Sequence, residues 1–187
     1  MRSVDCEVTL LLGRIRFVWL LAAALISPAA APAAGGYAVT TLLLVRHAEK
    51  AESPKDDPPL TAAGHRRAEA LLALTRRAGV EAIFATNRIR TQQTVRPAAR
   101  AAGLKITILD IRDVDSLVAA IVNQHQGQVV LAAGHTSTVP KIIESLGAGT
   151  IPPLEETDYD NFFVVTVYAP GKAKLLRLKY GESTSGP

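Results

Sequence analysis

The pattern that most constrains the fold is an alternation of short apolar runs with segments that carry helix signals, between residues 40 and 146. The runs predicted as strands are Thr40–Val45, Val80–Ala85, Leu104–Leu109 and Gln128–Ala133. The predicted helices run from Thr61 to about Ala78, from Arg88 to Ala102, from Asp113 or Asp115 to Val122, and from Pro140 to Leu146. Because strands that alternate with helices pair in parallel, this pattern indicates a three-layer α/β/α sandwich with a mostly parallel central sheet.

Residues that typically begin or end helices support these predicted element boundaries. Thr61 is predicted to cap the first helix, and Gly79 and Gly103 follow the first two helices in the left-handed position. Pro97 lies inside the second helix and is expected to kink or divide it. Two further strands, Phe162–Tyr168 and Lys174–Leu178, flank an Ala-Pro-Gly-Lys turn and predict a C-terminal antiparallel hairpin.

Residues 1–33 have the pattern of a secretory signal peptide. Two arginines precede a 10-residue apolar run, Phe17–Ile26, and small residues follow it. A membrane-spanning helix needs about 20 apolar residues, so this run is short for a transmembrane span. We expect cleavage near Ala34, which leaves a domain at 34–187 with a core at about 38–180. This domain is expected to be exported, either periplasmic or secreted, without stable insertion in a membrane after cleavage. An uncleaved N-terminal anchor is the alternative.

Charge and cysteine content exclude several classes of function. The chain has 21 Lys and Arg against 17 Asp and Glu, a formal net charge of +4, and the two signs are interspersed. A nucleic-acid-binding protein normally shows a basic stripe with interleaved aromatic residues, so no nucleic-acid partner is expected. The small excess is compatible with a small anionic ligand. Cys6 is the only cysteine, which excludes intramolecular disulfides and cysteine-based metal clusters. None of these features indicates an oligomeric state.

Polar residues follow three of the predicted strands. Arg46 and His47 come directly after the first strand, Arg90 follows the second, and His135 and Thr136 follow the fourth. The carboxyl ends of parallel strands meet at one edge of an open sheet, where ligands bind. We therefore expect two imidazoles and at least one guanidinium group to converge at this edge.

Four segments, in this order, resemble motifs of the histidine phosphatase (phosphoglycerate-mutase-like) superfamily. They are Arg46-His47-Ala48-Glu49, Leu60-Thr61-Ala62-Ala63-Gly64, Thr86 to Thr94, and Gly134-His135-Thr136. An Arg-His pair alone is a weak signal. Four motifs that follow one another in the family's order and spacing, along residues 41–168, are a specific signal for the family. The resemblance implies a phosphoglycerate-mutase-like fold and a phosphomonoesterase that acts on a small phosphorylated substrate without a metal or other cofactor.

The resemblance also implies residue roles, and the chemistry of the residues suits them. His47 is the expected nucleophile, because a neutral imidazole attacks phosphorus without first losing a proton. Its other ring nitrogen should be held by a carbonyl group. Arg46 and Arg90 present planar donor forks to phosphate oxygens, and His135, once protonated, adds a third cationic donor. Thr136 is expected to help bind the substrate at the start of a helix.

The family usually supplies a carboxylic acid that protonates the leaving oxygen, and the Glu-containing insertion that carries it in mutase-like members is missing here. Asp110 is the first positional candidate and Asp113 the next, with Asp158 and Asp160 as further alternatives. Asp113 is equally suited to cap a helix. The stretch from Glu155 to Asp158 is predicted as a solvated loop or a border of the pocket. A catalytically weak phospholigand-binding member of the same fold is the alternative function.

Overall fold

The computed structural model describes residues 36–184. The expected signal peptide at 1–33 and its cleavage site lie outside the described residues. The strands are β1 (Thr40–Arg46), β2 (Val80–Thr86), β3 (Ile106–Leu109), β4 (Val129–Gly134), β5 (Asn161–Ala169) and β6 (Lys172–Lys179). The helices are α1 (Ala62–Thr75), α2 (Ile89–Ala102), α3 (Val114–Asn123) and α4 (Thr138–Ser145).

The six strands form one sheet in the order β3-β2-β4-β1-β5-β6. Strands β1 to β4 pair in parallel, β5 runs antiparallel to β1, and β6 runs antiparallel to β5. The mostly parallel sheet and the C-terminal hairpin are therefore confirmed. This order makes β1 and β4 central neighbours, so the residues that follow them lie side by side.

The alternation of side chains in β1 separates two hydrophobic cores. Leu42 and Leu44 point to the face covered by α3 and α4, where they pack in one cluster with residues such as Ile121 and Ile143. Leu43 and Val45 belong to the other cluster, which packs against α1 and α2. Both faces of the strand are buried, as expected for a central strand that reads as a continuous apolar run. The three-layer α/β/α prediction is confirmed.

Most predicted element ends agree with the structure to within a few residues. Thr61 Oγ1 accepts a hydrogen bond from Gly64 N at 3.1 Å and caps α1, and Gly103 ends α2 with φ 67°. α2 is one continuous helix that contains Pro97, so of the two effects expected of this proline, a kink or a division, the division was wrong. The neighbouring buried residues Val95 and Ala98 pack against the sheet, which offsets the roughly 3 kcal/mol cost of an internal proline.

No helix within residues 36–184 is both long enough and apolar enough to cross a membrane.

Candidate active site

The pairing of β1 with β4 places the two histidines next to each other. Arg46 is in register with Gly134, and the backbone N–H of His47 donates to the carbonyl of Gly134 at 2.9 Å. The imidazole rings of His47 and His135 meet edge to face with their centroids 5.3 Å apart. Both residues are buried, with 3% and 5% of their surfaces exposed. The predicted convergence of the two imidazoles is confirmed.

A backbone carbonyl fixes the ring of His47. Its Nδ1 lies 2.8 Å from the carbonyl oxygen of Ala48, and the N–H of Ala48 donates to Thr94 Oγ1 at 2.9 Å. Since a carbonyl accepts and cannot donate, Nδ1 carries the proton and Nε2 carries the lone pair. The expected carbonyl contact is confirmed, and it leaves Nε2 as the nitrogen available for attack.

Arg46 is fully buried beneath the loop that precedes β5. Its Nη1 donates to the carbonyl of Glu155 at 2.7 Å, and its Nη2 donates to Glu156 Oε2 at 3.1 Å. The guanidinium carbon lies 4.3 Å from the ring centroid of Tyr159, within cation–π distance. The ring centroid of Tyr159 is also 6.0 Å from that of His47. The predicted solvated loop therefore borders the site and fixes Arg46.

Arg90 enters the site from the first turn of α2. Its Nη1 lies 3.5 Å from Asp57 Oδ1, and Asp57 also accepts the backbone N–H of Ile89 at 3.1 and 3.2 Å. Arg88, two residues earlier, reaches the carbonyl of Asp56 at 3.5 Å. The side chain of Arg90 is 14% exposed, and the charges of both Arg90 and Arg88 act on His135.

The Nε donors of Arg46 and Arg90 are buried, and within residues 36–184 no acceptor lies in hydrogen-bond range of either one. A tetrahedral oxyanion offers several acceptors to such donors. The two guanidinium groups therefore retain donor capacity for an anionic ligand.

Hydroxyl groups hold His135 in a chain of hydrogen bonds. Its Nε2 lies 2.8 Å from Thr86 Oγ1, which in turn lies 2.9 Å from Thr91 Oγ1. Thr91 Oγ1 donates to the carbonyl of Arg88 at 2.8 Å. A hydroxyl has one proton, so Thr91 accepts from Thr86, and Thr86 accepts the Nε2 proton of His135. The chain therefore assigns the proton of neutral His135 to Nε2.

Burial and neighbouring cations lower the pKa of both histidines. For His47, burial has the largest effect, the bond to Ala48 opposes it, and nearby cations add to it, which brings the pKa from 6.5 to about 3. For His135, burial and then the charges of Arg90, Arg88 and Arg46 lower the pKa to about 3. Both rings are thus neutral at pH 7 when only protein charges surround them. His135 becomes a cationic donor only when an anion offsets those charges.

The structure gives Asp110 contacts that do not favour proton donation. Its Oδ2 accepts from Asn87 Nδ2 at 3.0 Å, and its Oδ1 accepts the backbone N–H and Nε of Arg112 at 2.9 and 3.2 Å. The bonds from Arg112 lower the pKa of Asp110, with the backbone bond contributing most. In the structure Asp110 therefore acts as a hydrogen-bond acceptor for Asn87 and Arg112.

The other predicted acid candidates also make structural bonds. Asp113 accepts from Ser116 N at 3.0 Å and caps α3, one of its two predicted roles. Asp158 accepts the backbone N–H of Glu155 at 2.9 Å, and buried Asp160 pairs with Lys179 at 2.6 Å. These contacts stabilise a helix start, a loop turn and the β5-β6 hairpin.

Thr136 lies at the site and shares a partner with Arg46. Its Oγ1 donates to Glu156 Oε1 at 3.4 Å.

The sequence did not assign roles to four residues that the structure places at the site, Glu156, Asp57, Tyr159 and Thr86. Glu156 and Tyr159 lie on a loop more than 100 residues from Arg46, and the one available signal was the acidic run beside them.

Within residues 36–184, no group of three or more His, Cys, Asp or Glu side chains is arranged to hold a metal ion. Guanidinium groups of Arg46, Arg90 and Arg88 place positive charge near the histidines.

Comparison with known proteins agrees with this geometry. The model of the histidine phosphatase superfamily (branch 1) matches residues 42–111, from β1 through β3. No curated protein matches the sequence.

Solved structures share the fold at low sequence identity. A protein histidine phosphatase SixA complexed with tungstate has a TM-score of 0.62 and 20% identity, over 74% of this chain and 96% of that one. A protein designated phosphohistidine phosphatase SixA, from Nakamurella multipartita, has a TM-score of 0.57 and 23% identity, over 78% of this chain and 99% of that one. A mycobacterial glucosyl-3-phosphoglycerate phosphatase has a TM-score of 0.53 and 10% identity, over 78% and 100%.

The family model covers the segment that carries Arg46, His47 and Arg90, and the shared fold covers 74% of the chain. Residues 42–111 of this chain are therefore similar to the histidine phosphatase superfamily (branch 1), and the whole fold resembles that of the solved structures.

Proposed function

We propose that this protein is a phosphomonoesterase that hydrolyses a small phosphoester through a phosphohistidine intermediate on His47. The similarity of residues 42–111 to the superfamily model supports a phosphatase-type hydrolase in general terms. The observation that carries the finer proposal is the orientation of His47, whose Nδ1 is bound to Ala48 O while Nε2 stays free beside Arg46, Arg90 and His135. A nucleophile and cationic donors are the two elements that phosphoryl transfer requires.

The proposed reaction has two steps. In the first, Nε2 of His47 attacks phosphorus, the bond to the ester oxygen breaks, and the alcohol leaves with a proton. In the second, water attacks the phosphohistidine, the nitrogen–phosphorus bond breaks, and inorganic phosphate leaves. Arg46 and Arg90 hold the phosphoryl oxygens in both steps and stabilise the charge of the transition state.

The guanidinium groups supply the positive charge that a divalent cation supplies in kinases, so the proposal includes metal-independent turnover. It also includes action outside the cytoplasm, which rests on the sequence of residues 1–33 alone. The related SixA structure holds tungstate, a tetrahedral oxyanion of the same general shape as phosphate.

The proposal is tested by assaying the purified full chain with p-nitrophenyl phosphate in the presence of EDTA. We expect phosphate release that EDTA does not reduce, and a loss of at least about 100-fold in kcat/KM for Arg90→Gln, because a preorganised donor contributes about 3 to 4 kcal/mol. His65→Asn, a change at an exposed histidine of α1, is the matched surface control. Vanadate binding without release of p-nitrophenol would contradict turnover and favour the phospholigand-binding alternative.

A further inference from the structure

The carboxylate of Glu156 lies between two groups predicted to bind phosphate. Its Oε2 accepts from Arg46 Nη2 at 3.1 Å, and its Oε1 accepts from Thr136 Oγ1 at 3.4 Å. Arg46 is fully buried, whereas the side chain of Glu156 is 75% exposed. The carboxylate therefore covers the guanidinium group from the solvent side.

This side is where a leaving group must depart. His47 is buried, so a phosphoester reaches it from solvent. In-line transfer puts the leaving oxygen on the far side of phosphorus from the attacking nitrogen. The leaving oxygen consequently faces the solvent side of the site, on which Glu156 lies.

The backbone of the loop is held without the Glu156 side chain. The carbonyl of Glu155 accepts from Arg46 Nη1 at 2.7 Å, and the N–H of Glu155 donates to Asp158 Oδ2 at 2.9 Å. Because these bonds fix the loop, the Glu156 carboxylate can rotate away from Arg46 while its backbone stays in place.

The second carboxylate at the site is more constrained. Asp57 accepts the backbone N–H of Ile89 in addition to its contact with Arg90, so its negative charge also stabilises the start of α2. Both contacts of Glu156 are instead with side chains that a phosphoryl group would engage. A bound phosphate therefore competes for both hydrogen-bond donors of Glu156, whereas Asp57 keeps its bond from the backbone N–H of Ile89.

We propose that Glu156 is the general acid that protonates the leaving oxygen, a role that rests on the phosphatase function proposed above. A bound phosphate dianion competes with Glu156 for Arg46, so it removes the cationic partner that holds the carboxylate and leaves the carboxyl group beside the substrate. As the nitrogen–phosphorus bond forms and the phosphorus–oxygen bond breaks, the leaving oxygen takes the proton of Glu156. In the second step the carboxylate takes a proton from the attacking water, which restores the acid.

The test compares two esters of similar shape on the full chain. Phenyl phosphate has a poorer leaving group than p-nitrophenyl phosphate and depends more on proton donation. For Glu156→Gln we expect kcat/KM to fall about 100-fold or more with phenyl phosphate and less than about threefold with p-nitrophenyl phosphate, because general acid catalysis contributes at least about 100-fold where it is needed. Glu156→Asp should restore part of the rate with phenyl phosphate.

Glu69→Gln is the control, because it removes the same charge from an exposed position on α1, outside the site. It should leave both rates unchanged. An equal loss with both esters in Glu156→Gln would show that Glu156 only positions Arg46, and no loss with either would also overturn the proposal. A wild-type protein that hydrolyses neither ester would instead contradict the proposed phosphatase function.

Discussion

At the scale of single residues, two hydrogen-bonded contacts determine which ring nitrogens are available for chemistry. The Ala48 carbonyl holds Nδ1 of His47 and frees its Nε2, whereas the hydroxyl of Thr86 holds Nε2 of His135. The two rings therefore use opposite nitrogens for support. Because both rings are neutral at pH 7, the contacts of His135 decide which nitrogen gains a proton when a phosphate dianion binds.

The hydroxyl chain of His135 predicts an effect of Thr86→Val, which keeps the shape of the side chain and removes its hydroxyl. We expect kcat/KM for p-nitrophenyl phosphate to fall about tenfold, since a lost buried hydrogen bond costs about 1 to 2 kcal/mol and leaves His135 without its support. Thr75→Val is the control, because the buried Thr75 hydroxyl donates within α1, to Leu71 O, away from the histidines. Equal kinetics for the two variants would show that the chain does not position His135.

At the scale of elements, the start of α2 connects the phosphate-binding arginine to a distant loop. Arg88 occupies the N-cap position and makes no side-chain capping bond. Asp57, from the loop between β1 and α1, accepts the N–H of Ile89 instead and also contacts Arg90. One carboxylate therefore stabilises the helix start and orients the guanidinium group.

This arrangement predicts separable effects on stability and activity. Asp57→Ala should lower the free energy of unfolding by about 1 kcal/mol, as expected for a lost helix cap, and should also raise KM for p-nitrophenyl phosphate. Thr61→Ala removes the cap of α1 and should cost similar stability in urea denaturation with no change in KM. An unchanged KM in Asp57→Ala would show that Asp57 does not orient Arg90.

The elements themselves were predictable because their signals are local. The apolar run of β1, the capping hydroxyl of Thr61 and the left-handed Gly103 each act within a few residues. The continuity of α2 through Pro97 was not predictable, because it depends on packing of Val95 and Ala98 against strands from elsewhere in the chain. Propensity gives the cost of an internal proline but not the tertiary contacts that offset it.

At the scale of the whole molecule, the order of the strands brings the site together. Because β1 lies beside β4, and β4 beside β2, the segments that carry His47, His135 and Arg90 meet at one edge of the sheet. This convergence could be predicted from the parallel topology. The places of Glu156 and Tyr159 could not, because they lie on a loop whose path is set by contacts with Arg46 across more than 100 residues.

The most direct test of the account is the identity of the phosphorylated residue. The full chain is mixed briefly with labelled phosphoester, quenched in alkali, which preserves phosphohistidine, and mapped by peptide mass spectrometry. We predict acid-labile phosphate on the peptide that contains His47, its loss in His47→Asn, and its retention in His65→Asn. Label on His135, or label that persists undiminished in His47→Asn, would contradict the assignment of His47 as the nucleophile.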